Sequence, residues 1–93
     1  MESKSLMVID PSMEIPEIES FNSISIQSPI QTTYHLPAIH SPDSMYSNFE
    51  ETSAIILMGS AASVHDSFQW IKDIQISIEK AIKRKIPILG ICF

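Results

Sequence analysis

The only cysteine of this 93-residue chain, Cys92, lies two residues after a glycine at the end of an apolar run. A run such as 86–91, which begins beside a proline and contains Gly90 near its end, is typical of a strand buried on both faces of a parallel sheet. A thiol just past the carboxyl end of such a strand lies where open α/β sheets bind ligands. If the chain turns there into a helix, the helix amino end favours the thiolate, so Cys92 is a candidate nucleophile. The alternative is that Cys92 is a small core residue, as free cysteines often are.

Two further elements must position this thiol. The apolar run at 53–58 predicts a second buried strand, which leads into a patch of small residues at 59–63. A helix over 67–85 should follow, because isoleucines recur at i, i+3, i+7 and i+11 from Ile71 onward and form one apolar stripe. Strand, turn, helix and strand in this order predict a βαβ unit with a right-handed crossover.

The first half of the chain predicts weaker elements, because prolines and polar residues interrupt its apolar runs. The predictions are a strand at 5–10, a loop or one or two ragged turns at 12–21, a half-buried strand at 22–26, a strand at 31–36 and a turn-rich connection at 37–52 with a short helix near 43–50. A parallel sheet needs helices on both faces, and its last strand normally leads into another crossover. We therefore expect residues 1–93 to be the amino-terminal part of a single larger domain.

The composition argues against several classes of function. Apolar residues make up 44% of the chain and the net charge is −5, so the chain is globular and offers no basic surface for nucleic acid. The basic run 83–85 closes the predicted helix, where cations complement the helix dipole. No apolar run reaches the ~18 residues of a membrane span, and a single cysteine fits a reducing cytoplasm. We expect a cytoplasmic protein with no nucleic-acid or membrane partner, no metal and no cofactor.

Three motifs together resemble those of class I glutamine amidotransferases, most closely the glutaminase domains similar to that of GMP synthase. They are Met-Gly-Ser-Ala-Ala-Ser-Val-His-Asp at 58–66, Trp-Ile-Lys at 70–72 and Pro-Ile-Leu-Gly-Ile-Cys-Phe at 87–93. Such domains carry a Met-Gly-Gly-Pro-like turn, a Pro-Trp-Leu helix opening and a Pro-Val-Leu-Gly-Ile-Cys elbow. The resemblance covers 53–93, whereas the earlier residues match only in having a first strand.

The resemblance implies a three-layer α/β/α fold with a mostly parallel, flavodoxin-like sheet that is incomplete in this chain. It also implies that Cys92 attacks the side-chain amide of glutamine, or of a γ-glutamyl compound, and forms a thioester. Ammonia would then pass to a synthase domain or subunit. By the same resemblance, the oxyanion hole uses the backbone amide of Phe93 and that of Ser60, with Gly59 before it.

The sequence departs from the family pattern in two ways. Ser60 and Ala61 replace a glycine and a proline, and a serine forced to positive φ costs on the order of 1 kcal/mol. The family's histidine base and orienting glutamate follow the elbow, whereas His35, His40 and His65 all precede Cys92. We assign none of them to the base and expect the 93 residues to be inactive alone. Two alternatives remain open: a non-catalytic truncated remnant or α/β interaction module, and another cysteine-elbow α/β hydrolase or peptidase-like protein.

Overall fold

A computed structural model describes residues 4–59 and 68–90. Its elements in chain order are β1 (Ser5–Ile9), α1 (Ile18–Gln27), β2 (Gln31–His35), α2 (Asp43–Ser47), a 3-10 turn (Phe49–Glu51), β3 (Thr52–Leu57), α3 (Gln69–Lys83) and β4 (Ile88–Gly90). The strands predicted at 5–10, 31–36, 53–58 and 86–91 are confirmed, as are α3 and the short helix near 43–50. Within the described ranges, no helix is both long and apolar enough to span a membrane.

The four strands form one parallel sheet in the order β2-β1-β3-β4. Ile9 at the end of β1 lies opposite His35 of β2 and Leu57 of β3, and Leu57 lies opposite Gly90 of β4. The carboxyl ends of all four strands are therefore level with one another at one edge of the sheet. Among the strands that the structure describes, β4 lies at one edge of the sheet, and its Leu89 is 59% exposed.

The sheet carries helices on both faces. Alternate residues of each strand point to opposite faces and pack against these helices. On one face the strands contribute to the main core with α2, the 3-10 turn and α3. That core consists of Met7, Ile9, Met45, Phe49, Ile55, Ile74 and Ala81. On the other face, Leu6 and Ile56 lie beside Ser23 and Ile24 of α1, with which they line a shallow surface cavity. The predicted three-layer α/β/α architecture with a flavodoxin-like sheet is confirmed.

The connections reverse direction in the middle of the sheet. The crossover from β1 to β2 runs one way through α1, and the two later crossovers run the other way across the opposite face. Reversing both the direction and the face preserves the hand, so all three crossovers share one hand, as the right-handed rule requires. The reversal falls between β1 and β3. In doubly wound sheets, ligands bind in the crevice outside the carboxyl ends at this point.

Helix α1 corrects two predictions, because the loop at 12–21 and the half-buried strand at 22–26 are wrong over Ile18–Gln27. The alternation of polar and apolar residues at 22–26 indicated a strand. The half-buried positions are instead residues 21, 24, 25 and 28, which share one face of a helix. Two of these four are serines, and Ile26 is 84% exposed. The inward face of the helix therefore does not form a continuous apolar stripe in the sequence. Pro16 precedes the helix and does not interrupt it.

The connection from β2 to β3 passes over the sheet through α2 and the 3-10 turn. Met45 and Phe49 are buried there, which attaches the connection to the core. Tyr46 Oη donates a hydrogen bond of 2.6 Å to Asp73 Oδ1 of α3. This hydrogen bond, together with some burial, raises the pKa of Tyr46 to about 12. The two helices on this face are thus joined by a polar contact as well as by apolar packing.

Helix α3 ends in a Schellman motif at the start of β4. The amide of Lys85 donates to the carbonyl of Ile82 at 3.1 Å, and that of Ile86 donates to the carbonyl of Ala81 at 2.9 Å. Lys85 therefore adopts a left-handed conformation, with φ of 59°, at the position where glycine is usual. A left-handed non-glycine residue costs roughly 1–2 kcal/mol.

We expect Lys85→Gly to raise the free energy of unfolding by about 1 kcal/mol, since glycine adopts this conformation without steric cost. The measurement is urea denaturation followed by circular dichroism. Lys83→Gly is the matched control, because it removes the same charge from the last turn of α3. Glycine is unfavourable within a helix, so this variant should lower the free energy of unfolding by up to about 1 kcal/mol. Equal losses in both variants would contradict the interpretation that Lys85 is strained.

Candidate functional site

The predicted site residues are only partly described. Gly59 is half-buried directly beyond β3, and Gly90 is exposed at the end of β4. Ser60, Cys92 and Phe93 lie outside the described residues, so their predicted roles stay predictions. A Cβ added to Gly90 would meet nothing within 4 Å among the described atoms, and Gly90 has no positive φ. Among the described residues, therefore, neither a steric contact nor the backbone conformation requires glycine at position 90.

The two motifs that contain these residues come together across a single pair of strands. Leu57 lies opposite Gly90 in the parallel pairing of β3 with β4, and neighbouring strands are about 4.8 Å apart. Gly59 follows Leu57 by two residues, and Cys92 follows Gly90 by two residues. The ends of β3 and β4, which are 33 positions apart in sequence, thus lie side by side at the same edge of the sheet. This edge is the candidate functional site.

Asp10 forms a second feature of the same edge, immediately after β1. Its side chain is fully buried, and each of its carboxylate oxygens accepts two hydrogen bonds. The amide and the hydroxyl of Ser12 donate to Oδ1, while the amide of Glu17 and the hydroxyl of Tyr34 donate to Oδ2. We call this set of contacts the Asp10 clasp. It connects β1, the following loop, the start of α1 and β2.

The clasp also explains why α1 begins where it does. Glu17 is the residue before the first helical position, and its side chain makes no capping hydrogen bond. Asp10 instead accepts the Glu17 amide at 2.8 Å from outside the helix, and a carboxylate at a helix amino end is favoured by the dipole. On the far side, the ring of Tyr34 stacks on Phe21 of α1 with centroids 4.1 Å apart. Helix α1 is therefore attached at its amino end, through one aromatic pair and through a hydrogen bond of 3.0 Å from Thr32 Oγ1 to Ser25 Oγ.

The electrostatics of the clasp favour an ionised Asp10. Burial raises the pKa of Asp10, but the hydrogen bonds from Ser12, Tyr34 and the amide of Glu17 outweigh burial and hold the pKa below its ordinary value. Burial and the hydrogen bond to Asp10 raise the pKa of Tyr34. Asp10 is thus a carboxylate whose acceptor positions are all used. Such a group is suited to holding structure in place and poorly suited to transferring protons.

His35 lies far from the end of β4 and is not suited to act as a base there. His35 ends β2, which is three strand spacings, or about 14 Å, from β4. Its ring is 1% exposed, with Nδ1 2.7 Å from Ser44 Oγ and Nε2 2.7 Å from Thr33 Oγ1. Burial lowers the pKa of His35 to about 4. His40 is exposed in the loop after β2, and His65 lies outside the described residues.

An apolar groove of about 470 Å³ lies between β3 and α3. Its lining residues are Leu57, Trp70, Ile71, Ile74, Gln75, Ile78 and Glu79. Trp70, which belongs to the second motif, packs against the core and is half-buried. Across 4–59 and 68–90, no group of three or more histidine, cysteine, aspartate or glutamate side chains could hold a metal ion.

The Asp10 clasp was not predicted from the sequence. The only local signal was an aspartate after a buried strand with a serine two residues later, which is typical of a side-chain turn. The contribution of Tyr34 comes from 24 residues away and has no local signal.

These features define the chain as a small α/β protein with a four-stranded parallel sheet and helices on both faces. No family model, no curated protein and no solved structure matches the chain. The functional assignment therefore depends on the motifs and on the edge of the sheet where they meet.

Proposed function

We propose that this chain carries the nucleophile part of a glutamine amidotransferase-type site, in which Cys92 attacks the side-chain amide of glutamine. The observation that supports the proposal is the pairing of Leu57 with Gly90, which brings the carboxyl ends of β3 and β4 to one edge. A nucleophile and its oxyanion donors must lie within a few ångströms of one carbonyl group. Adjacent parallel strands that end at the same level are compatible with this requirement.

The proposed chemistry uses few groups. The thiolate of Cys92 adds to the amide carbon, and the oxyanion accepts hydrogen bonds from the backbone amides of Ser60 and Phe93. The C–N bond then breaks, the nitrogen takes up a proton and ammonia leaves. Water attacks the resulting thioester, which releases glutamate and restores the thiol. The ammonia would serve a synthase domain or subunit.

Complete turnover requires a base, and His35 is not suited to this role. His35 is buried and fully hydrogen-bonded at the end of β2, about 14 Å from β4. Without a base, a thiol of ordinary pKa is only a few per cent ionised at neutral pH. The proposal is therefore best tested on the first covalent step, which needs the thiolate and the substrate site only.

The test is labelling of Cys92 by the chloroketone analogue of L-glutamine, in which the thiolate displaces chloride to form a C–S bond. We expect this rate to exceed that of a chloroketone without the amino-acid group by at least about tenfold, because bound reagent is held near the thiol. L-glutamine should slow the labelling, whereas D-glutamine should not. Mass spectrometry identifies the labelled residue, and Cys92→Ser should abolish the product.

Two outcomes would reject the proposed function. One is equal labelling by both chloroketones after correction for their intrinsic reactivity toward a small thiol. The other is a lack of protection by L-glutamine at millimolar concentration. Iodoacetamide, which needs only an accessible thiol, provides the reference rate for Cys92 in every sample.

A further inference from the structure

We propose that two copies of this chain associate through one flank of α1 and the outer edge of β2, about a two-fold axis perpendicular to the sheet. The surface consists of Ile18, Asn22 and Ile26 together with β2, and we call it the α1–β2 surface. It lies within residues 18–35, and its role as an interface does not depend on the proposed function.

The flank of α1 that belongs to this surface is apolar and exposed. Ile18 is 53% exposed and Ile26 is 84% exposed, and Asn22 lies midway between them, so the three residues share one flank of the helix. The opposite flank, which includes Ile24 and Gln27, lines the shallow cavity beside β1 and β3. The stripe of Ile18, Asn22 and Ile26 therefore faces away from β3, on the side of β2.

The edge of β2 lacks the features with which proteins usually prevent strands from pairing with other chains. Residues 31–35 include no lysine, arginine, acidic residue or proline. All five pair with β1 in an unbroken register, so this strand carries no bulge. An edge without charge, proline or bulge pairs readily with another strand. Among the described strands, β2 lies at the end of the sheet, so its second side faces outward.

Two contacts determine how α1 is aligned along β2. The ring of Phe21 stacks on that of Tyr34, and Ser25 Oγ accepts a hydrogen bond of 3.0 Å from Thr32 Oγ1. Four helical residues rise about 6 Å, and two strand residues rise about 6.6 Å, so the helix and the strand advance together between these contacts. Asn22 is consequently level with the centre of β2.

A two-fold axis beside the centre of β2 therefore passes Asn22 as well. Such an axis makes β2 and its copy antiparallel neighbours about 4.8 Å apart, which joins two sheets into one. Helix α1 contacts β2 and lies beside Leu6 of β1, so it is placed over this pair of strands, about 4.8 Å from the axis. The α1 helices of the two copies are then about 10 Å apart, which is a distance at which helices pack.

The side chains of the α1–β2 surface complement themselves about this axis. Antiparallel α1 helices centred on Asn22 place Ile18 opposite Ile26 of the second copy, and the two Asn22 amides meet with both donors and acceptors. Glu17 and Glu19 lie at the start of the helix, so the acidic residues of the two copies lie at opposite ends of the helix pair. This separation is needed because each copy has a net charge of −5.

Sedimentation velocity of the 93-residue chain at physiological salt tests the interface. We expect a monomer–dimer equilibrium with a dissociation constant on the order of 10–100 μM, since one helix flank and one short strand form a small interface. Ile26→Glu and Ile18→Lys should each raise this constant at least about tenfold, because a charge is then held against an isoleucine. The double variant should return to within about threefold of wild type, since each lysine then lies opposite a glutamate of the second copy.

Ile82→Glu is the matched control, because Ile82 is 63% exposed on α3 and the change adds the same charge. Leu89→Glu tests the other end of the described sheet, and both variants should dimerise as wild type does. Circular dichroism checks that each variant is folded. A wild-type chain that stays monomeric up to about 1 mM would overturn the inference. So would a dimer that Leu89→Glu or Ile82→Glu weakens and Ile26→Glu does not, or a double variant that dimerises no better than the single variants.

Discussion

Asp10→Ala is expected to lower the free energy of unfolding by about 3 kcal/mol, because it removes the acceptor of four hydrogen bonds at once. Each donor left without a partner costs about 1–3 kcal/mol when it is buried and less when water can reach it. The hydroxyl of Ser12 can rotate toward water, so the cost falls on three partly buried donors: the amides of Ser12 and Glu17 and the hydroxyl of Tyr34. At about 1 kcal/mol each, they give the expected loss. Small domains have only about 5–15 kcal/mol of stability in total, so this loss would be severe.

Urea denaturation of Asp10→Ala, Tyr34→Phe and Glu19→Ala would measure this effect. Tyr34→Phe keeps the stacking on Phe21 and removes one donor, so we expect a loss of about 1 kcal/mol. Glu19→Ala should change the free energy of unfolding by less than about 0.5 kcal/mol, as exposed substitutions generally do. A loss below 1 kcal/mol in Asp10→Ala would show that water replaces the carboxylate easily, and the clasp would then be of little structural importance.

The second large effect is a loss of stability in mild acid, caused by His35. Burial lowers the pKa of this histidine from 6.5 to about 4, so the unfolded chain binds a proton at a pH where the folded chain does not. Above pH 6.5 both states are neutral at this position and there is no effect. As the pH falls from 6.5 to about 4, the free energy of unfolding should fall by about 1.4 kcal/mol per pH unit, to a total on the order of 3 kcal/mol.

Chemical denaturation at a series of pH values would show this slope, and His35→Gln should remove it between pH 6.5 and 4. His40→Gln is the control, because His40 is exposed in the loop after β2. Asp10 affects stability in a separate, more acidic pH range. Because its pKa is lowered in the folded chain, ionised Asp10 stabilises the fold above pH 3.8, the ordinary pKa, and this stability is lost as the pH falls below 3.8. An undiminished slope in His35→Gln would mean that other groups bind the proton.

The parts of the fold that the sequence predicted are those whose signal is local. Helix α3 has one isoleucine stripe, and β3 and β4 are short apolar runs with breakers at their ends. The pairing of β3 with β4 could also be predicted, because consecutive strands of a βαβ unit are usually neighbours. Once these strands are adjacent, Gly59 and Gly90 must lie at one edge. The proximity of Gly59 and Gly90 could therefore be predicted from the sequence.

The parts that were missed depend on contacts between distant residues. Helix α1 was mistaken for a loop or ragged turns followed by a strand, because its inward face includes Ser25 and Ser28. Its contacts come from Asp10, Thr32 and Tyr34. No pattern in residues 18–27 reports on a carboxylate seven or more positions earlier or on a ring in the next strand. The burial of His35 between two hydroxyl groups likewise depends on where α2 lies.

Helix α1 has no buried side chain, although it covers one face of the sheet. Helix α3, in contrast, buries five residues: Ile71, Asp73, Ile74, Ser77 and Ala81. A helix with few buried contacts opens locally at a much lower free energy than the whole domain needs to unfold. The backbone amides of α1 should therefore exchange with solvent deuterium well before those of α3 and of the central strands β1 and β3. The native ensemble would then contain a minor state in which α1 is detached while the strands that bear the candidate site remain paired.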